Sequence, residues 1–209
     1  MRSFNLKLMG LIFIPALLSS CASTSLVDTW RNPDITGLKH HKLLLVYISK
    51  NDTTSWLYED VLESELDQRG VASLSGHTIL PEGKRVNMQT LARGVGESGA
   101  DAVLTMQTIR VEQKTTIQPG YADVYPDYWY PVAFPRWEMY GYFDRYWYFE
   151  PTYISTYEIA MIQINFFDAQ SGKLLWAATI QTSNPGNAVS VSKKLATIVV
   201  HSLIKEGLI

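Results

Sequence analysis

Six consecutive apolar residues, Leu43-Leu44-Leu45-Val46-Tyr47-Ile48, constrain the fold of this chain more than any other stretch. A run with no polar alternation reads as a strand covered on both faces, as in sheets with helices on either side. The strand is expected over Lys42–Ser49. Asp52, Thr53 and Thr54 follow with N-cap oxygens. Tyr58, Val61, Leu62 and Leu66 then recur on one helical face, with Glu59, Asp60, Glu63 and Glu65 around the rest. Gly70 is suited to end that helix in the left-handed conformation.

The pattern continues downstream. Val71–Leu74 reads as a short strand. A second helix begins at Asn87, with Met88, Leu91, Ala92 and Val95 in register, and runs out in Gly94, Gly96 and Gly99. Ala102–Val111 is a third strand whose phase shifts near Ile109, the mark of a bulge. Tyr157–Phe167 and Leu174–Thr182 pair as a hairpin around Asp168-Ala169-Gln170-Ser171-Gly172-Lys173. Ile162, Ile164 and Phe166 share one face, with Gln163 and Asn165 opposite. A last helix spans Ala188–Lys205, with Leu195, Ile198, Val199 and Ser202 inward. The expected class is α/β (α+β): a mixed sheet with three packed helices, in the order β-α-β-α-β-(insertion)-β-β-α.

The first 21 residues read differently. Met1-Arg2-Ser3 is positively charged, Leu8–Leu18 is apolar, and Leu18-Ser19-Ser20-Cys21 closes the stretch with small residues. That is the layout of a secretory signal. The apolar run is too short for a spanning helix, which needs about 20 residues. With a cysteine directly after the small residues, it resembles a bacterial lipoprotein signal and its lipobox. The resemblance implies removal of residues 1–20, lipidation of Cys21 and tethering to a membrane. Ala22 follows where an inner-membrane retention signal would place Asp, so the outer membrane, facing the periplasm, is the expected address. Cys21 is the single cysteine, which excludes an intrachain disulfide. Residues 21–40 are expected as a tether carrying Trp30 as an anchor, and 41–209 as one domain.

Charge and motifs exclude more than they assign. The formal net charge is −2, and Arg2 and Lys7 lie in the leader, so the remainder is more acidic still. Nucleic acid, which wants a basic face, is not an expected partner. Gly94-Val95-Gly96-Glu97-Ser98-Gly99 matches a dinucleotide glycine pattern, but with helix before and strand after, the reverse of what phosphate binding needs. Ser171-Gly172-Lys173 lacks the upstream glycine and the following helix of a phosphate loop. His40, His41, His77 and His201 show no metal-ligand spacing, so no metal or cofactor is expected. No Gly-x-Ser-x-Gly frames a nucleophile. Glu59 and Glu63 stand four apart, the spacing of a wet helix face. The chain is not expected to be an enzyme.

One segment is chemically unusual. Residues 119–151 interrupt the α/β pattern, and 14 of the 30 residues from Tyr121 to Glu150 are Tyr, Trp or Phe. Tyr128, Trp129, Tyr130, Trp137, Tyr146 and Trp147 are its candidate binding residues, since such rings join an apolar body to a polar tip. Four uses stay open: a mini-core or subunit contact, a protein-binding surface, stacking on sugars, or a place at lipid headgroup level. Asp123, Asp127, Glu138, Asp144 and Glu150 outnumber Arg136 and Arg145, which disfavours deep membrane contact.

Thr29-Trp30-Arg31-Asn32-Pro33, Leu45–Lys50, Glu97–Leu104, Asp168–Trp176 and Lys205-Glu206-Gly207-Leu208-Ile209 together resemble uncharacterised bacterial lipoproteins of unknown function. More distantly, the Ser-Gly-Ala-Asp entry to a strand and the Asp-x-x-x-Gly-Lys hairpin are similar to three envelope domains. These are the amino-terminal domain of the Tol translocation protein, the curli secretion lipoprotein and the activator lipoproteins of penicillin-binding proteins. The resemblance implies a non-catalytic binding or assembly role, with an envelope protein or a second copy of the chain as partner. A peptidoglycan- or glycan-binding lipoprotein and a hydrolase with a site built from distant residues are the rival readings.

Overall fold

The computed structural model describes residues 24–35, 37–49, 51–80, 86–113, 158–183 and 186–209. Among these residues six strands form one mixed sheet. They are β1 (Thr24–Arg31), β2 (Lys42–Ile48), β3 (Ala72–Ser75), β4 (Ala102–Gln113), β5 (Glu158–Asp168) and β6 (Leu174–Ser183), in spatial order β1-β6-β5-β4-β2-β3. Pairing is parallel for β2 with β3 and with β4, and antiparallel from β4 through β5 and β6 to β1. The helices among these residues are α1 (Asp52–Asp67), α2 (Met88–Ser98) and α3 (Ala188–Lys205). From β2 onward the order is the expected one, and β1 is added before it.

That extra strand corrects the reading of residues 21–40 as a tether. Thr24–Arg31 is paired along its length with β6, from Thr24 opposite Thr182 to Arg31 opposite Trp176. Most of its residues are exposed, so no apolar alternation announced it. It is set by its partner's free edge rather than by its own pattern. Trp30 lies half-buried against the core, as an anchor but within a strand. The register slips between Leu26 and Asp28, leaving Val27 as a bulge that blunts the edge.

The apolar run of β2 is buried throughout, Leu43 to Tyr47, because helices cover both faces. Leu43, Leu45 and Tyr47 join Leu104, Ile164, Phe166, Trp176 and the inner faces of α1 and α3 in one core cluster. Leu44 and Val46 join Val103, Phe167, Ala177 and α2 in the other. The bulge expected near Ile109 is present, as a register shift between Thr108 and Arg110.

Helix ends follow local chemistry. Asn51, one residue before the expected caps, accepts a hydrogen bond from the Thr54 N–H at the start of α1. Asn87 and Thr90 form a reciprocal capping box on α2. Gly99, with φ 63°, closes α2 left-handed. Gly94 does not end the helix. It lies inside it at a close approach, where a Cβ would stand 2.7 Å from Leu80 Cδ2. For the same reason the buried face of α2 is Leu91, Gly94 and Ser98, while Met88 and Ala92 face outward.

On the second face a polar ladder crosses three strands. Thr179 donates to Gln163 (3.0 Å), Gln163 to Asn165 (3.2 Å), and Asn165 to Thr105 (3.4 Å). Gln163, Asn165 and Thr105 are fully buried. The hydrogen bonds run in one direction, so each buried amide finds a partner without water.

Two glycines give opposite expectations. A Cβ on Gly76 meets the Leu45 carbonyl oxygen at 2.6 Å, backbone that cannot give way, whereas one on Gly96 in α2 meets nothing within 4 Å. Gly76→Ala should destabilise the fold by about 1–3 kcal/mol, and Gly96→Ala should stabilise it by roughly 0.5–1 kcal/mol. Urea titration of both variants checks the pair.

Candidate functional site

Among the described residues, the densest group of chemically capable side chains lies where α1 meets β3 and the 3₁₀ turn Gly76–Thr78 that follows it. It is built from Glu59, Asp60, Glu63, Ser75 and His77, with Tyr47 and Trp56 beside it. The outward-pointing role expected for Glu59 and Glu63 is corrected here: Glu59 is only 3% exposed and Glu63 is half-buried. At 100° per residue Glu59 lies about 20° around α1 from Leu66, on the border of the apolar stripe. That proximity is the one sequence signal that could have found it.

Glu59 acts as an acceptor for the backbone. Its Oε1 accepts from the Tyr47 N–H at 2.7 Å, and its Oε2 from the His77 N–H at 2.9 Å. His77 Nδ1 lies 3.0 Å from Oε2, and Nε2 lies 3.4 Å from Asp60 Oδ1. Burial pushes the Glu59 carboxyl above its ordinary 4.5, and the donors from Tyr47 and His77 hold it down only in part. Glu63 accepts from the Ser75 N–H at 3.0 Å and from the Ser75 hydroxyl, which also reaches Asp60 at 3.2 Å. The indole of Trp56 lies 5.7 Å from the His77 ring.

Tyr47 carries the cluster into the core. Its ring lies 4.7 Å from that of Tyr58, and its hydroxyl is 2.7 Å from Thr108 Oγ1. Burial raises the Tyr47 phenol to about 12, with the Thr108 contact acting against it, so it stays neutral.

Chemically, this arrangement ties an edge strand to a helix. The Ser75 hydroxyl is wholly buried and aimed at carboxylates, and no Ser75–His77 hydrogen bond exists among the described residues. A nucleophile–base pair is therefore not assembled there. No group of three or more His, Cys, Asp or Glu suited to a metal ion is found among the described residues.

The other histidines are separate. His40 is 5% exposed, with its ring edge-on to Phe166 at 5.3 Å and Nδ1 3.1 Å from the Asp101 carbonyl. Among the described residues its Nε2 is one of three buried side-chain polar atoms without a hydrogen-bond partner, with Ser73 Oγ and Trp176 Nε1. His40 borders a cleft of about 300 Å³ lined also by Lys39, His41, Arg69 and Ile209. The cleft sits where α1 and α3 end, and cations there offset the negative ends of two helix dipoles. His41 and His201 are exposed.

The residues singled out from sequence, Cys21 and Tyr128, Trp129, Tyr130, Trp137, Tyr146 and Trp147, lie outside the described residues, as does the expected signal 1–20. The segment that holds the aromatic ones leaves β4 at Gln113 and returns at Glu158, which stand opposite each other. Among the described residues no helix is long and apolar enough to cross a membrane.

No family model and no curated protein matches the chain. Among solved structures it is similar to a point variant of the PelC dodecamer from Paraburkholderia phytofirmans, at 10% identity and TM-score 0.43, over 85% of this chain and 95% of that one. A second PelC dodecamer structure from the same organism gives 12% identity and TM-score 0.42, over 82% and 94%. Lipoprotein GNA1162 from Neisseria meningitidis gives 14% identity and TM-score 0.39, over 78% and 98%. Scores of this size describe a loose likeness of outline and carry no argument about function.

The buried carboxyl sets a pH dependence. A folded-state pKa raised above 4.5 means that the contribution of Glu59 is fully present below about 4.5 and is lost as pH rises through the folded value. In a His77→Asn background, which removes the imidazole, the stability of the Glu59 protein relative to its Glu59→Gln counterpart should fall as pH rises from about 4.5. Denaturant titrations from pH 4 to 8 check this, and a difference that grows with pH contradicts it.

Proposed function

We propose that the chain is a lipid-anchored cell-envelope protein that acts by binding, without catalysis, through protein contacts. The observation that carries this reading is Leu18-Ser19-Ser20-Cys21 after a charged start and a short apolar core. Diacylation and N-acylation at Cys21 hold a protein firmly where a single chain does not, since each buried methylene contributes about 0.8 kcal/mol. Ala22 supports an outer-membrane address. The absence of catalysis is supported by the carboxylates of Glu59 and Glu63, which accept the backbone N–H groups of Tyr47, His77 and Ser75.

The aromatic residues Trp129, Trp137 and Trp147, with Tyr128, Tyr130 and Tyr146, are the proposed contact residues. The partner is an envelope protein, with a second copy of the chain as the homo-oligomeric form. Their density also favours a second reading, a glycan-binding lipoprotein that stacks sugar rings on tryptophan.

Two measurements test these readings. Cys21→Ala should move the protein from the membrane to the soluble periplasmic fraction, and full membrane retention would overturn the anchor. Photocrosslinkers at Trp129, Trp137 and Trp147 in cells should capture one and the same envelope protein, or the chain itself, at adjacent positions. Capture of nothing, together with a tryptophan emission shift on adding soluble muropeptides, would replace the protein partner with a glycan.

A further inference from the structure

We infer that one end of the sheet, the end bearing Thr24, Ser183, Glu158 and Gln113, is the surface this protein presents to the lipid bilayer. The inference rests on the lipid-anchor reading and adds an orientation to it. Strand β1 begins at Thr24, three residues after Cys21. Three peptide units span at most about 11 Å. The anchor therefore holds the start of β1 at the lipid surface, not at the end of a long tether.

The pairing register carries that position across the sheet. Thr24 stands opposite Thr182, Thr182 opposite Ala160, and Ala160 opposite Val111. With neighbouring strands about 4.8 Å apart, Val111 is roughly 14 Å across the sheet from Thr24. Gln113 and Glu158 lie two residues beyond Val111 and Ala160 on the same side. The points where residues 114–157 leave and rejoin the fold are thus at the anchored end.

Helix α3 brings a second contribution. It starts at Ala188, shortly after β6 ends, and runs in the direction of β1. The far ends of the two elements are joined by the Arg31–Glu206 ion pair at 3.2 Å. The first turn of α3 is therefore level with the start of β1. Three exposed apolar side chains lie near that level: Leu26 at 42%, Val27 at 52% and Val189 at 51%. Val27 is the bulge residue, released from the ladder and free to face outward. A shallow apolar rim at the anchored end suits the headgroup–acyl boundary.

The opposite end differs. The β5–β6 turn, Asp101 and the Lys39–Arg69 cleft lie there. Its lysines and arginine would draw it toward anionic lipid, but β6 spans ten residues, about 33 Å along the strand. An 11 Å link cannot bring that end to the bilayer unless the sheet lies flat on its β1 edge.

Labelling can separate these cases. Cys21 is the only cysteine, and its sulfur is consumed by the lipid, so one introduced thiol is the only reactive one. Lipidated protein carrying Val27→Cys, Val189→Cys or Gln170→Cys is labelled with a bimane fluorophore. It is then reconstituted into phosphatidylethanolamine–phosphatidylglycerol vesicles containing a headgroup nitroxide lipid. Labels at 27 and 189 should be quenched several-fold more than the label at 170. Equal quenching at 170 indicates a flat sheet and overturns the orientation, as does an unquenched pair at 27 and 189 on vesicle-bound protein. Mass spectrometry of the N-terminal peptide reads the anchor separately: an unmodified Cys21 overturns both readings, whereas a lipidated chain with the wrong quenching pattern overturns the orientation alone.

Discussion

The pairing of β4 with β2 on one side and β5 on the other joins the two halves of this protein. On the β2 side the ladder is parallel, and a parallel pair needs a crossover that covers the sheet with helix. On the β5 side it is antiparallel and continues to the β1 edge. The residues of β4 therefore serve two cores at once. Leu104 and Met106 face the α1–α3 side, while Val103 and Ile109 face the other. The bulge between Thr108 and Arg110 shifts the register where the strand passes beyond β2. Packing on both sides of one strand is why the fold is a single body, although its sequence changes pattern midway.

The edge next to β2 is secured by other means. Strand β3 has only four residues, too few for a long ladder. Its C-terminal end and the turn after it are held by carboxylates from α1 that accept backbone N–H groups. Hydrogen bonds to charged groups contribute about 1.5–3 kcal/mol each. Taking a carboxylate out of water costs several kcal/mol. The two are close in size, and burial pushes the Glu59 carboxyl up while the backbone donors hold it down in part. The cluster is rich in groups that also serve catalysis, yet both Glu59 oxygens and one Glu63 oxygen accept backbone N–H groups of the fold.

The β1 edge bears on the proposed anchor in the same way. A free tether over residues 21–40 would let the domain roam tens of ångströms from its attachment point. With Thr24–Arg31 paired to β6, the strand register fixes which end of the sheet lies nearest residue 21.

The sequence alone determined the elements with strong internal period. The β2 run, the Tyr58–Leu62–Leu66 stripe, the hairpin at Asp168–Lys173 and the bulge near Ile109 were all legible, since each depends on neighbours in the chain. Tertiary structure alone decided the rest. Thr24–Arg31 is a strand because β6 offers an edge. Position 94 takes glycine inside a helix because Leu80 fills the space of a side chain. Glu59 is buried because β3 and the Gly76–Thr78 turn close over the flank of α1. These are contacts between residues distant in sequence, and a linear pattern carries no record of what will pack against it.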